Sequence, residues 1–315
     1  MEIHDLKVFL AVAEEKNITK AAQRLGYVQS NVTARIRQLE SELNTSLLYR
    51  HARGVSLTPT GETVLSYAKK IITLCSQVKC AVQDESDPIG PLRIGSMETT
   101  AAIRLPELLT EYHETYPKVD LFLTTGPTEQ LLQSVLEYKI DGAFVAAPIE
   151  HPEIVQETFV EEELVLISSS KKSPILTLQN IQEQTLLVFR TGCTYRSQLK
   201  KWLHDEGIYP EKIMEFGTLD AILGCVRAGL GFSLVPKSVI EHTDPDSSIT
   251  YHDVPDKYGK VKTIFIRRQD SLITPALYRF LQHIRDYFSK RQRAKNTSLV
   301  NAVKGVPPHN ADFSR

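Results

Sequence analysis

The sequence predicts an α/β protein with an N-terminal all-α winged helix-turn-helix, on three observations. Three short amphipathic patterns fill the first 43 residues, an arginine-bearing hairpin pattern follows over 46–58, and beyond residue 90 short apolar runs alternate with helical ones. At 315 residues the chain exceeds the ~250 at which a single core stops growing, so two or three units are expected. Its 42% apolar and 24% charged residues are those of a globular protein rather than a disordered or fibrous one. The formal charge of −1 excludes a uniformly basic coat, so any grip on a polyanion must come from a local cluster.

The first pattern sets Ile3, Leu6, Phe9, Leu10 and Ala13 three and four residues apart, one buried stripe of a helix over 3–14. Asn17 is placed to cap a second helix, 18–25, whose Ala21 and Ala22 allow close approach of a neighbour. Gly26 supplies the turn that ends it. The third helix, 30–43, keeps Val32, Ile36, Leu39 and Leu43 on its core side. At ~100° per residue the opposite side shows Ser30, Asn31, Ala34, Arg37 and Gln38. Short polar groups, a gap and one guanidinium make a face that can enter a groove; long mixed charges would make a plain solvated one. Two helices joined by a tight glycine turn, the second with such a face, describe a helix-turn-helix. Leu47–Arg50 and Gly54–Thr58 then read as a hairpin around Arg50, His51 and Arg53, a basic wing that completes a unit of residues 1–58.

Thr58 before Pro59, with Glu62 in the first turn, opens the next helix. Over the linker 59–87, Val64, Ala68, Ile71, Cys75, Val78 and Val82 recur at steps of four and three. That is a heptad seam on a rod on the order of 37 Å, and it is expected to pair with a second copy. Asp84 to Pro91 is a polar, Pro/Gly-punctuated hinge. From residue 91 to 290 the order strand, helix, strand, helix, strand, begun again near Leu164, predicts a mainly parallel sheet in two lobes. The first lobe is expected at about 91–160 and 267–290, the second at about 161–266. Residues 291–315 lack periodicity and are expected to be a disordered tail.

The opening Met1–Asp5 has no basic then apolar leader, and no segment reaches the ~18 apolar residues of a membrane span, so a cytoplasmic location is expected. Cys75, Cys80, Cys193 and Cys225 are too few and scattered for a disulfide framework and read as free thiols. An enzyme built on the lobes is disfavoured. Gly229-Leu230-Gly231 lacks the third glycine of a dinucleotide fingerprint and lies between a helix and a following strand, the reverse of the order required. There is no Gly-x-Ser-x-Gly, P-loop or His-Glu-x-x-His, and the nine histidines show no metal-ligand spacing. No catalytic residue, metal or cofactor is expected. A transport-type binding protein would need export and leaves residues 1–87 without a purpose.

Leu6 and Phe9, Thr19-Lys20-Ala21-Ala22 and Leu25, Gln29-Ser30-Asn31-Val32-Thr33, Leu39-Glu40, Leu47 with Arg50, and Leu57-Thr58-Pro59-Thr60-Gly61-Glu62 together resemble the DNA-binding end of the LysR-type transcriptional regulators. Gly95 to Thr100, Leu105-Pro106, Asp141-Gly142-Ala143 and Ala228-Gly229-Leu230-Gly231 match that family's sensor domain, so nearly the whole chain fits its layout. Asn44 stands where the family has Gly, and Leu48 where it prefers Phe. Asn tolerates a left-handed backbone, so the third helix is still expected to end there. The resemblance implies promoter DNA as partner, a homodimer or dimer of dimers, and two lobes akin to periplasmic binding proteins with a small-molecule effector between them. It also implies an encounter with RNA polymerase.

From a helix in the major groove, Gln29, Ser30, Asn31, Thr33 and Arg37 are the candidates for base edges or phosphates. Thr19 and Lys20 are candidates for phosphates, and Arg50 and Arg53 for phosphates or the minor groove. In open α/β sheets ligands sit beyond the carboxyl ends of strands, against helix N-termini. That rule selects Ser96, Met97, Glu98, Thr99 and Thr100 after the first strand, and Thr124, Thr125 and Gly126 after the second. In the second lobe it selects Arg190, Thr191, Gly192, Cys193 and Arg196, with Thr218 at another helix start. The matching family positions support Thr99 and Thr100, and the two guanidiniums suit a carboxylate. Cys193, at a helix N-terminus near arginines, has the setting of a lowered-pKa redox thiol without an evident resolving partner. A ligand-independent architectural DNA binder is the alternative, told apart by a cleft that ignores every metabolite.

Overall fold

The computed structural model describes residues 1–52, 54–81, 87–170, 181–243, 248–287 and 289. The expectations placed on Arg53 and on the tail 291–315 lie outside the described residues.

Helices α1 (Ile3–Glu15), α2 (Ile18–Leu25) and α3 (Gln29–Glu42) pack around Phe9, Val12, Ala22, Val32, Ile36 and Leu39. Asn17 Oδ1 accepts from the amides of Thr19 at 2.9 Å and Lys20 at 3.1 Å, satisfying two of the donors a helix start leaves open. Gly26, at φ +69°, closes α2, and Asn44, at φ +51°, takes the left-handed turn expected after α3. Strands β1 (Leu48–His51) and β2 (Gly54–Leu57) pair antiparallel as the wing. Leu48 is buried in the same core, so a leucine fills that position.

Helix α4 (Pro59–Ala81) is capped by Thr58, whose hydroxyl accepts from the Gly61 amide at 2.9 Å and donates to the Ser46 carbonyl at 2.8 Å. The expected seam is divided. Ala68 is buried, and Val64 and Ile71 pack on the helical core; Tyr67, Leu74 and Val78 stay exposed. A 3.6-residue helix bearing apolar groups on neighbouring lines gives the nearer line to its own domain and leaves the other outward. The line left outward is therefore Tyr67, Leu74 and Val78, of which Val78 alone belongs to the predicted series.

In the α/β part, β3 (Gly90–Ser96) runs parallel to β4 (Val119–Thr125) on one side and β5 (Gly142–Ala146) on the other. The long strand β6 (Ile154–Ser169) belongs to both lobes. Its Ile154–Glu163 stretch joins the first lobe, and Leu164–Ile167 pairs with β9 of the second. The second sheet holds β7 (Thr185–Phe189), β8 (Ile213–Phe216) and β9 (Gly231–Pro236), with β10 (Ile249–Asp253) on the other edge of β6. Strand β11 (Lys260–Arg268) inserts antiparallel between β5 and β6. This corrects the expected boundary: the chain has returned to the first lobe by residue 260, not 267, because that strand completes the first sheet. The pairing is parallel within each lobe and antiparallel where β6 and β11 cross.

The helix expected around 100–115 is two, α5 (Glu98–Ile103) and α6 (Leu105–Thr115), because Pro106 has no amide to continue the ladder. Helices α7 (Thr128–Leu136), α8 (Thr194–Asp205), α9 (Leu219–Arg227), α10 (Lys237–Thr243), α11 (Asp256–Gly259) and α12 (275–287) complete the lobes. The first lobe closes on Tyr112, Phe144, Phe159, Phe265 and Phe280, with Phe144 and Phe159 rings 4.7 Å apart. Near the crossing strand, Arg104 makes two 2.8 Å hydrogen bonds to Glu162, which also accepts from Ser238 at 3.2 Å. Burial works against the Arg104 charge, but the bonds to Glu162 outweigh it and raise its pKa. Among the described residues no helix is long and apolar enough to cross a membrane, and no group of three or more His, Cys, Asp or Glu can hold a metal ion.

Candidate functional site

Helix α3 turns its apolar residues inward and leaves Gln29, Ser30, Asn31 and Arg37 exposed, with Thr33 half-buried. Thr19 and Lys20 are exposed in the first turn of α2, and the Thr19 hydroxyl donates to Gln29 Oε1 at 3.3 Å, so the two helix starts meet. Part of this set is already engaged. Thr33 donates to the Gln29 carbonyl at 2.9 Å, and Asn31 Oδ1 accepts from Arg35 Nε at 3.2 Å. The side chains of Lys20, Ser30 and Arg37 have no hydrogen bond or ion pair among the described residues. Arg50, exposed on β1, lies 3.7 Å from Glu40. Glu40 also accepts from the Leu47 and Leu48 amides at 2.9 and 3.3 Å, tying the wing to α3.

Sequence reasoning passed over Arg35. Its guanidinium donates to the buried Asp5 at 2.8 Å and clamps α3 to α1. Arg35 and Arg37 are two positions apart, about 200° around the helix, so Arg35 meets α1 as a clasp while Arg37 stays on the outer face.

Between the lobes lies a cavity of about 190 Å³. Of the predicted residues, Met97, Glu98, Thr99, Thr125, Gly126, Arg190 and Cys193 line it. Six others do not. Ser96 is buried and donates to the Met97 carbonyl at 3.0 Å, and Thr100 is buried outside the lining. Thr124 is exposed one position before Thr125, and successive strand side chains point to opposite faces. Gly192, at φ +90°, lies against Glu129. Arg196 donates to the Phe189 carbonyl at 3.1 Å and pairs with Glu215, and Thr218 caps α9 by accepting from Ala221 at 3.4 Å. Thr191 is likewise outside the lining.

The lining missed in sequence comprises Thr128 and Gln130 in the first lobe, and Phe189, Tyr195 and Phe216 in the second, together with the backbone corners at Pro127 and Gly217. A signal existed for Thr128: Gly126-Pro127 breaks the chain just before a helix start. Tyr195 had none, since its role depends on the facing lobe. Its hydroxyl is reached by Thr99 at 3.4 Å, and Thr194 meets Thr128 at 3.4 Å, so hydroxyls of both lobes touch across the cleft. Burial raises the Tyr195 pKa. Burial also pushes the Cys193 thiol up, against smaller opposing contributions from the Arg196 and Tyr195 amides and the Arg196 charge. Of the two readings of this thiol, the lowered-pKa one is the less supported, since enclosure outweighs the helix start.

Comparison with known proteins places these features. Residues 3–62 match the model for bacterial regulatory helix-turn-helix proteins of the LysR family, and residues 85–289 the LysR substrate-binding domain. The HTH-type transcriptional regulator GltR of Bacillus subtilis (strain 168) is 54% identical over 91% of this chain and 97% of its own length. SoxR of Arthrobacter sp. (strain TE1826), also an HTH-type transcriptional regulator, is 46% identical over 91% and 97%. Among solved structures, full-length CbnR complexed with its target DNA aligns at a TM-score of 0.64 with 27% identity, over 91% of this chain and 100% of that one. Full-length OxyR from Pseudomonas aeruginosa, at 20% identity and a TM-score of 0.69 over 91% and 94%, shares the fold. With a helix-turn-helix, a linker helix and a two-lobed α/β domain all accounted for, the chain belongs to the LysR family of DNA-binding transcriptional regulators, which are not enzymes.

Proposed function

We propose that the chain acts in the cytoplasm as a homodimer or dimer of dimers on promoter DNA, with a small-molecule effector between its lobes changing oligomer geometry and DNA bending. The observation that carries this is α7. Its start, with Thr128 and Gln130, lines the cavity, and its C-cap residue Glu137 lies 3.8 Å from Lys69 Nζ on α4. Lys70 Nζ lies 6.0 Å from the Tyr138 ring centre beside it. A single helix thus reaches from the cleft to the helix that bears the DNA-binding head. An effector that favours one lobe closure biases α7, hence the angle between paired heads, and hence the bend of the DNA they hold. The exposed line on α4 supports pairing with a second copy, and the bent promoter is where RNA polymerase is met.

The α3 face is proposed to enter the major groove with Arg37 and Lys20 free to take phosphates or base edges. Operator titration across salt concentrations tests it. Arg37→Ala is expected to weaken operator binding by about 1–3 kcal/mol with an unchanged circular dichroism spectrum. Unchanged affinity at every salt concentration overturns the assignment.

A further inference from the structure

We propose that the interlobe cavity takes a small zwitterion, an α-amino acid whose carboxylate meets Arg190 and whose ammonium meets Glu98. This rests on the reading of the cavity as the effector site and narrows its chemistry. Glu98 and Arg190 are the two charged side chains in the lining, one from each lobe: Glu98 in the first turn of α5, Arg190 just after β7. Neither has a hydrogen bond or ion pair among the described residues. The other guanidinium expected here, Arg196, is occupied by the Phe189 carbonyl and Glu215 outside the cavity. That removes the pair of cations that favoured a plain carboxylate.

The remaining pair has no net charge and opposite ends. Lobe closure strips water from both, and an uncompensated charge in a water-poor cleft is costly. A carboxylate alone satisfies Arg190 but brings a second negative group towards Glu98; an amine alone does the reverse. A zwitterion satisfies both and adds no net charge. Gly217 leaves the room the guanidinium occupies, since a Cβ there would stand 2.9 Å from Arg190 Nη2. The cavity, about 190 Å³, has room for a ligand of amino-acid size.

The test is calorimetric titration of the full-length protein with each of the twenty protein amino acids. Each one that binds is compared with the acid lacking its α-amine and the amine lacking its α-carboxylate. At least one amino acid is expected to bind, with both analogues weaker by tenfold or more. Glu98→Gln is expected to erase the preference over the acid, and Arg190→Gln the preference over the amine. The wild-type ratios stand even if a variant fails to fold. An acid lacking the amine that binds as tightly as its amino acid overturns the zwitterion and leaves the cleft as an effector site. No binding from any of the three series overturns the zwitterion and counts against the cleft as well.

Discussion

At the residue scale, the charged groups divide into those that hold the molecule together and those left facing outward. Arg268 shows the first kind. It is 3% exposed, donates to Glu153 and Asp270 at 2.7 Å, and stacks 4.3 Å from the Tyr138 ring centre. Its hydrogen bonds pull the Asp270 pKa down to about 2, from an ordinary 3.8. A depressed carboxylate pKa stabilises the fold above the unfolded value and loses that contribution as pH falls through the folded one. Asp270→Asn is therefore expected to be less stable than wild type in urea at neutral pH, with the gap narrowing as pH falls from 4 towards 2. The Asp270 side chain is half exposed, so solvent screening makes the gap small. A gap that stays constant with pH would show that the Arg268 contact does not discriminate between the protonation states.

At the element scale, legibility followed periodicity. The three N-terminal helices, the Asn17 cap and the Gly26 turn could be read because local rules fix them. The first part of β6 could not: Glu157, Glu161, Glu162 and Glu163 conceal a strand whose partner, β11, lies about a hundred residues away. The proposed role of α7 also lives at this scale, in the contact of Glu137 with Lys69. Lys69→Glu is expected to reduce the ligand-induced change in operator footprint while ligand binding is retained. The swap Lys69→Glu with Glu137→Lys is expected to restore most of it, as measured by footprinting with a ligand confirmed by calorimetry. A single variant that responds like wild type would remove α7 from the signalling route.

At the scale of the whole molecule, the outward line on α4 is the surface on which copies are proposed to meet. Tyr67, Leu74 and Val78 are exposed apolar side chains on a helix whose other apolar line is already used. Pairing along this line would cover Leu74, and a buried charge there would have no partner. Leu74→Glu is expected to raise the dimer dissociation constant at least tenfold in sedimentation velocity runs. An unchanged sedimentation profile would place the dimer contact elsewhere.

The sequence by itself determined the helices, caps and turn of residues 1–58 and several of the strand ends that border the cavity, because capping, helical period and strand order are local properties of the chain. Only the tertiary structure decided that Arg35 clasps Asp5, which apolar line of α4 is left outward, and that Arg190 and Glu98 share one cavity while Arg196 does not. Those outcomes depend on what packs opposite each side chain, and residues distant in sequence supply it.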